Sequence, residues 1–339
     1  MTTHYGARPT MKDVAARAGV GLKTVSRVVN GGAGVTPGTA ARVAAAIGEL
    51  GFRRNEGARM VRTGRGGGVA LLLEDLADPF SATLGRAVED VARRHGSLLF
   101  SGSSSADPAL ERELALAFCA RRVDGLVVVP AGDDHRYLLP ELAVGIPAVF
   151  VDRPARRIEA DAVLSDNAGG AREAVEHLIR HGHRRIGFLG DRPHIHTTTE
   201  RLRGYREAMA VAGLPVDEAW VVTGPTDAAT VTAEVDRLTS GAAPVTALFA
   251  GNNRITFGAL QRLPALVARP ALVGFDDLEL APLLTPGLTV VAQDPAGLGR
   301  EAAELLFRRL DGYDGPPQRV VLPTRLISRG SGESAPAIR

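Results

Sequence analysis

Two groups of residues in this 339-residue chain have the types and spacing to do chemistry. The first lies near the N-terminus, in LKTVSRVVN. Helical spacing there sends Val25, Val28 and Val29 to one side and Leu22, Lys23, Ser26, Arg27 and Asn30 to the other. The second face is short, basic and rich in hydrogen-bonding groups, which suits the major groove of B-form DNA. Arg27 could donate two parallel hydrogen bonds to guanine O6 and N7, Lys23 could reach a guanine or a phosphate, and Leu22 could meet a thymine methyl. Thr24 and Ser26 suit phosphate oxygens. The second group stands around the ends of short apolar runs, where open α/β sheets bind their ligands. Asp78 and Phe80 follow VALLLE, Arg153 follows PAVFVD, Asp166 ends AVLSD, and Arg201 sits in ERLRGY. Asn252 follows TALFAG, Asp276 ends ALVGFD and Gln293 follows LTVVA. Taken singly, each reads as a turn or cap residue. Taken together, they suit a polyhydroxylated ligand: a carboxylate accepts from two adjacent hydroxyls, an arginine donates in a fork, and Phe80 offers an apolar face.

The elements that must position these groups are legible. Thr10, with Asp13 three residues on, opens a helix over MKDVAARA, and Gly19 ends it. The turn Gly19-Val20-Gly21 leads into the second helix, which stops at Asn30-Gly31-Gly32. Thr36-Pro37 supplies a cap and a first-turn proline for a third helix carrying Val43, Ile47 and Leu50, with Gly51 as its stop. Three helices with a tight glycine turn between the first two form the helix-turn-helix pattern. After the glycine-rich joint 64–68, short apolar runs alternate with amphipathic helices, so the body reads as parallel α/β layers.

Charge supports this division. The net charge is +2, but residues 1–65 carry +8 and the remaining 274 carry −6. A basic head on a mildly acidic body suits a polyanion-binding module joined to something else. A solvated basic tail would lack the helix caps and apolar periodicity seen here. Only Lys12 and Lys23 are lysines, and the other 38 basic residues are arginine. No apolar run approaches the ~18–20 residues of a membrane span, and the first residues carry no secretion signal pattern, so the expected compartment is the cytoplasm, with the nucleoid. The single cysteine, Cys119, excludes an internal disulfide and reads as a core thiol.

From MKDVAARAG through TVSRVVN to the T-P…I-x-E-L-G-F ending, the head resembles the lactose/galactose repressor (LacI/GalR) family, and the resemblance runs through nearly the whole chain. It implies an all-α helix-turn-helix DNA-binding head over 10–55, a hinge over 56–66, and an effector-binding and dimerisation body over 67–331. That body would be periplasmic-binding-protein-like, with two Rossmann-like subdomains, one over about 67–168 and 292–322, the other over about 169–291 and 323–331. It also implies DNA contacts at Asn55, Ala58, Arg59 and Val61. The implied partners are a pseudo-palindromic operator, a sugar-like effector and a second copy of the chain; no cofactor, metal or membrane is expected. The chain departs from the family pattern at Gly21, Arg54, Gly57 and Val61. It also departs at Pro225 or Thr226, where an aromatic is common, and at Asn253, where Asp is common.

Enzymatic motifs are missing from the sequence. There is no G-x-x-x-x-G-K-[ST], H-E-x-x-H or G-x-S-x-G. The glycine-rich joint precedes the first strand, where it cannot serve as a dinucleotide loop. His194 and His196 form a bare H-x-H expected to lie on a solvated loop. The alternatives are a solute-binding protein, which the head argues against, and a sugar-modifying enzyme on a similar two-lobed body.

Overall fold

The computed structural model describes residues 9–53, 68–224 and 226–336. The hinge and the expected contacts at Asn55, Ala58, Arg59 and Val61 lie outside them, as do Arg54, Gly57 and Pro225. The chain divides into two units, Met1–Gly66 and Gly67–Arg339.

The head contains Met11–Ala18 (α1), Leu22–Val29 (α2) and Pro37–Leu50 (α3). Thr10 and Asp13 exchange hydrogen bonds at the start of α1, and Gly19 leaves it with φ +64°. Helices of eight residues are marginal alone and need packing to persist. Val14, Val25 and Val43, all fully buried, supply it, with Val28, Val29, Ile47 and Leu50 around them. Gly21 caps α2 without a side-chain bond.

The second unit runs Gly68–Leu73 (β1), Pro79–Arg94 (α4), Leu98–Ser103 (β2), Pro108–Ala120 (α5), Leu126–Val128 (β3), Leu139–Ala143 (α6), Ala148–Val151 (β4) and Asp161–Ser165 (β5). It continues with Asn167–Arg180 (α7), Ile186–Gly190 (β6), His196–Val211 (α8), Val221–Thr223 (β7), Ala228–Thr239 (α9), Ala247–Ala250 (β8), Asn253–Arg262 (α10) and Ala271–Phe275 (β9). Thr289–Ala292 (β10), Pro295–Leu310 (α11), Arg319–Leu322 (β11) and Arg325–Ile327 (β12) complete it.

Two six-stranded sheets result, in the orders β11-β5-β4-β3-β1-β2 and β12-β10-β9-β8-β6-β7. The first is wholly parallel. The second is parallel except for its edge strand β12. Every residue of β1 is buried, as expected of a strand covered on both faces. The chain passes between the lobes three times. After β5 of the first sheet, α7 packs in the second lobe; after β10 of the second sheet, α11 packs in the first; and β11 and β12 pair in different sheets.

Some elements differ from their sequence expectation. Helix α7 begins at Asn167, ahead of the AREAV run, because Asp166 caps the glycine-rich first turn by accepting from the Gly169 amide at 2.8 Å. Helices α6, α9 and α10 are additional to those expected from the sequence, although Asp227 and Asn252 cap the last two and Val231, Val235 and Leu238 of α9 stand at i, i+4 and i+7. His196 is not on a loop; it opens α8, half-buried. Cys119 is 6% exposed, and burial pushes its thiol up to about 11, which leaves it protonated. Among the described residues no helix is long and apolar enough to cross a membrane.

Two glycines set the closest helix crossings. A Cβ on Gly204 of α8 would lie 2.2 Å from the Ala168 carbonyl oxygen of α7. One on Gly299 of α11 would lie 2.4 Å from that of Leu84 in α4. The obstruction is backbone in both cases, so it cannot swing aside. Gly299→Ala is expected to cost about 1–3 kcal/mol, read as a lower urea midpoint with unchanged slope.

The described C-terminal residues fold back on the second lobe, where His177 Nε2 lies 2.7 Å from Glu333 and His183 Nε2 lies 2.8 Å from the Ser334 carbonyl oxygen. Burial pulls both imidazoles below their ordinary value of about 6.5. The unfolded chain therefore binds more protons, and this stability is present above about pH 6.5 and lost as pH falls toward the folded values. Thermal unfolding is expected at lower temperature at pH 5.5 than at pH 7.5, and His183→Gln should flatten that slope.

Candidate functional site

The head presents the strip that its sequence promised. Val25 is fully buried, whereas Leu22 is 47% exposed and Lys23 and Arg27 are exposed beside it. Thr24 and Ser26 are half-buried. Asn30 is exposed, and its Nδ2 donates to the Ser26 carbonyl oxygen at 2.6 Å and to Ser26 Oγ at 3.1 Å. It thereby closes the last turn of α2.

In the second unit, seven of the eight cleft candidates line one chamber: Asp78, Phe80, Arg153, Arg201, Asn252, Asp276 and Gln293. Asp166 does not; it is exposed and serves as the cap of α7, while its neighbour Asn167 turns inward to Arg201. The strand ends explain the gathering. Asp78 follows β1 and caps α4, accepting from the Phe80 amide at 2.9 Å. Asn252 follows β8 and caps α10, accepting from the Ile255 amide at 2.9 Å. Asp152 and Asp276 stand directly after β4 and β9, and each donates its amide to the neighbouring strand at 2.9 Å. Both have left-handed φ, +68° and +78°, a strained setting for a residue with a Cβ.

The charged groups of the chamber are closely paired. Arg153 donates to Glu74 at 2.6 Å and to the Pro130 carbonyl oxygen at 2.9 Å. The loop that carries Pro130 is held by buried Glu111, which receives the amides of Ala131 and Gly132 and the Tyr137 hydroxyl. Gln293 Nε2 donates to Asp276 at 2.5 Å. Burial pushes the Asp78 and Asp152 carboxyls above the ordinary range, against the bonds that Asp78 accepts and the guanidinium groups near Asp152. Burial also lowers Arg201, whereas at Arg153 it is outweighed by Asp152 and Glu74 and the group stays raised. Among the described residues, the buried Gln293 Oε1 of the lining has no hydrogen-bond partner, while Arg153 Nε has only the Asp152 carboxylate, at 3.4 Å. A buried polar atom without a partner is uncommon in folded proteins and fits a place where a ligand completes the network.

Sequence reasoning missed Glu74, Asp191, Thr197, Thr198 and Arg254, which line the same chamber. Glu74 and Asp191 end VALLLE and IGFLGD, so the strand-end rule would have found them. The threonines and Arg254 lie in first helical turns and carried no separate signal. Asn253 and Arg254 also join the lobes. Asn253 Nδ2 donates to Asp78 at 3.0 Å, and Arg254 lies 3.3 Å from Asp75 and 3.6 Å from Glu74. An Asp at 253 could not donate and would face Asp78 charge to charge.

A helix-turn-helix unit followed by two Rossmann-like lobes around a polar cleft defines a DNA-binding regulator built on a binding-protein body. Residues 10–55 match the bacterial regulatory proteins of the lacI family, and 175–332 match the periplasmic binding protein-like domain. The chain is 37% identical to the HTH-type transcriptional regulator CelR of Thermobifida fusca, over 96% of this chain and 98% of that one. A solved complex of the transcriptional regulator CelR with cellobiose is similar at 33% identity and a TM-score of 0.69, over 96% of this chain and 100% of that one. The lac repressor dimer bound to operator and anti-inducer shares the fold at 23% identity and a TM-score of 0.86, over 97% and 100% of the two chains. The chain belongs to the LacI family and is a DNA-binding transcriptional regulator.

Asn253→Asp is expected to cost the closed arrangement of the lobes about 1–3 kcal/mol, since a buried donor is lost and a like charge gained. Small-angle scattering should report a larger radius of gyration for the variant; an unchanged radius would remove Asn253 from this role.

Proposed function

We propose that this regulator is a repressor that grips a pseudo-palindromic operator as a homodimer and is switched by a neutral sugar in the cleft. In the head, Leu22, Lys23 and Arg27 read base edges, while Thr24 and Ser26 meet phosphates. Asn30 holds the end of the reading helix. Asn55, Ala58, Arg59 and Val61 belong to the same DNA surface, and residues 56–66 serve as the hinge to the effector body 67–331. Operator DNA places the protein in the cytoplasm, at the nucleoid. The body binds its ligand without turnover.

The observation that carries the effector assignment is the charge of the chamber: five carboxylates, Glu74, Asp78, Asp152, Asp191 and Asp276, against three guanidinium groups, Arg153, Arg201 and Arg254. An excess of acceptors favours a neutral polyol over a phosphate or sugar acid, which would meet like charge. The cellobiose bound by the similar regulator CelR agrees with that chemistry. Dimerisation is supported by the first lobe's edge strand β2, where Leu98 and Phe100 are 65% and 47% exposed. An apolar, unpaired strand edge invites a partner.

A binding titration on a selected palindromic duplex and on random DNA tests the head. Arg27→Ala should cost about 1–3 kcal/mol on the cognate site and little on random DNA. Affinity for both should fall steeply with salt. Equal weakening of the two duplexes would reduce Arg27 to a phosphate contact.

A further inference from the structure

Arg153 reaches the chamber from a stretch without regular structure. Residues 152–160 form neither helix nor strand. Nor do residues 129–135, which supply the Pro130 carbonyl oxygen that takes the Arg153 NH1 at 2.9 Å. Asp152 and Arg157 have left-handed φ, +68° and +63°. Segments of this kind keep one shape only where tertiary contacts pin them. One buried cluster, outside the chamber lining, pins both. Glu111 of α5 is 1% exposed, and His135 is fully buried. Glu111 Oε2 receives the amides of Ala131 and of Gly132, the latter at 3.2 Å, and its Oε1 receives the Tyr137 hydroxyl at 2.7 Å. On the other side, His135 Nδ1 accepts from the Arg156 amide at 2.9 Å, and the His135 amide donates to the Arg156 carbonyl oxygen at 3.1 Å. An amide N–H can only donate, so Nδ1 is bare and the imidazole proton sits on Nε2, which faces Glu111 Oε1 at 3.4 Å. The Phe150 ring, edge-on with its centroid 5.0 Å away, holds the imidazole plane.

Two ends of one hydrogen bond are therefore set from the same place. Glu111 holds the loop that carries the acceptor, Pro130, and His135 holds the segment that carries the donor, Arg153. Arg153 spends one N–H on Pro130 and one on Glu74, which leaves a hydrogen on each terminal nitrogen for a ligand. The direction of those two hydrogens depends on both anchors. Burial would raise the Glu111 carboxyl, but the bonds from His135, Tyr137 and the Ala131 amide outweigh it and hold the group below the ordinary carboxylate range. It stays charged, an acceptor on every side. Resting on the cleft being a sugar site, we propose that Glu111 and His135 are positioning residues for effector recognition, acting through Arg153 without touching the ligand. Binding groups must be held within about 0.5 Å of their working geometry, so a loosened anchor is felt as lost affinity.

Calorimetric titration of the full chain with glucose, galactose, xylose, ribose, cellobiose and lactose tests this, the tightest binder of the panel serving as the probe. In Glu111→Gln the amide nitrogen meets the His135 N–H donor to donor, and affinity for the probe should fall about tenfold. Tyr137→Phe removes one donor from the same carboxylate and should lower affinity about threefold; it decides the matter if Glu111→Gln does not fold. Val91→Ala, which empties part of the core of the same lobe, should leave affinity within about twofold of the parent. In an Arg153→Lys background, where the fork is already lost, neither substitution at the cluster should cost more than about 1.5-fold. Parental affinity in the cluster variants, an equal loss in Val91→Ala, or an undiminished effect on top of Arg153→Lys would overturn the positioning role and leave the sugar assignment standing. If no sugar of the panel bound the parent, both would fall.

Discussion

A guanidinium group stripped of water has to be given partners, and the second lobe is organised around one such group. Arg201 is 4% exposed. Its Nε donates to Asn167 Oδ1 at 2.7 Å, its NH1 donates to the Gly251 carbonyl oxygen at 2.5 Å, and its plane lies 3.7 Å over the Phe275 ring. Those contacts fasten α8 to the first turn of α7 and to the ends of β8 and β9. Removing one partner of a buried charge costs about 3–5 kcal/mol, more than any single apolar contact here supplies. The first turn of α7 is glycine-rich and weakly helical by itself, and it gains order from this cation as well as from its cap.

The same constraint shapes the cleft. Arginines that cannot be left bare draw carboxylates to the strand ends, and the carboxylates then outnumber them. Asp152 and Asp276 hold corresponding places in the two lobes and share a left-handed backbone that few side chains adopt cheaply. Strain of this kind persists where neighbours over-determine it, and both aspartates are pinned by an amide bond to the next strand. A neutral ligand entering such a network exchanges hydrogen bond for hydrogen bond without adding net charge. Gln293 Oε1, which has no hydrogen-bond partner among the described residues, is where an entering hydroxyl gains most.

What could be read from the sequence follows from range. The head was legible nearly to the residue, because caps, glycine stops and a valine face are local signals. The strand ends were legible because a parallel sheet puts its ligand groups there whatever the fold's details. Asp166 misled because the same position also caps a helix, and a capping carboxylate and a ligand carboxylate look alike in sequence. Asn30 is exposed on the outer face, as helical spacing implies, and the bond of its amide to Ser26 is a local detail that spacing does not carry. Arg254 stayed hidden because its relation to Glu74 and Asp75 is made only where the two lobes meet.

Closure between lobes also decides how strongly a ligand can act on DNA. A ligand shifts an equilibrium only by its differential affinity for the two arrangements, and couplings of about 1–3 kcal/mol per site are usual. Moving a regulator from nearly all bound to nearly all free takes about 5.5 kcal/mol. One cleft falls short of that. In the proposed homodimer, two clefts biasing the same pair of heads would reach it at the upper end of the range. Contacts that hold the lobes together, such as Asn253 to Asp78, set the resting equilibrium on which that differential affinity acts. In the proposed dimer the paired architecture serves twice: two reading helices would grip a duplex, and two ligand sites would release it.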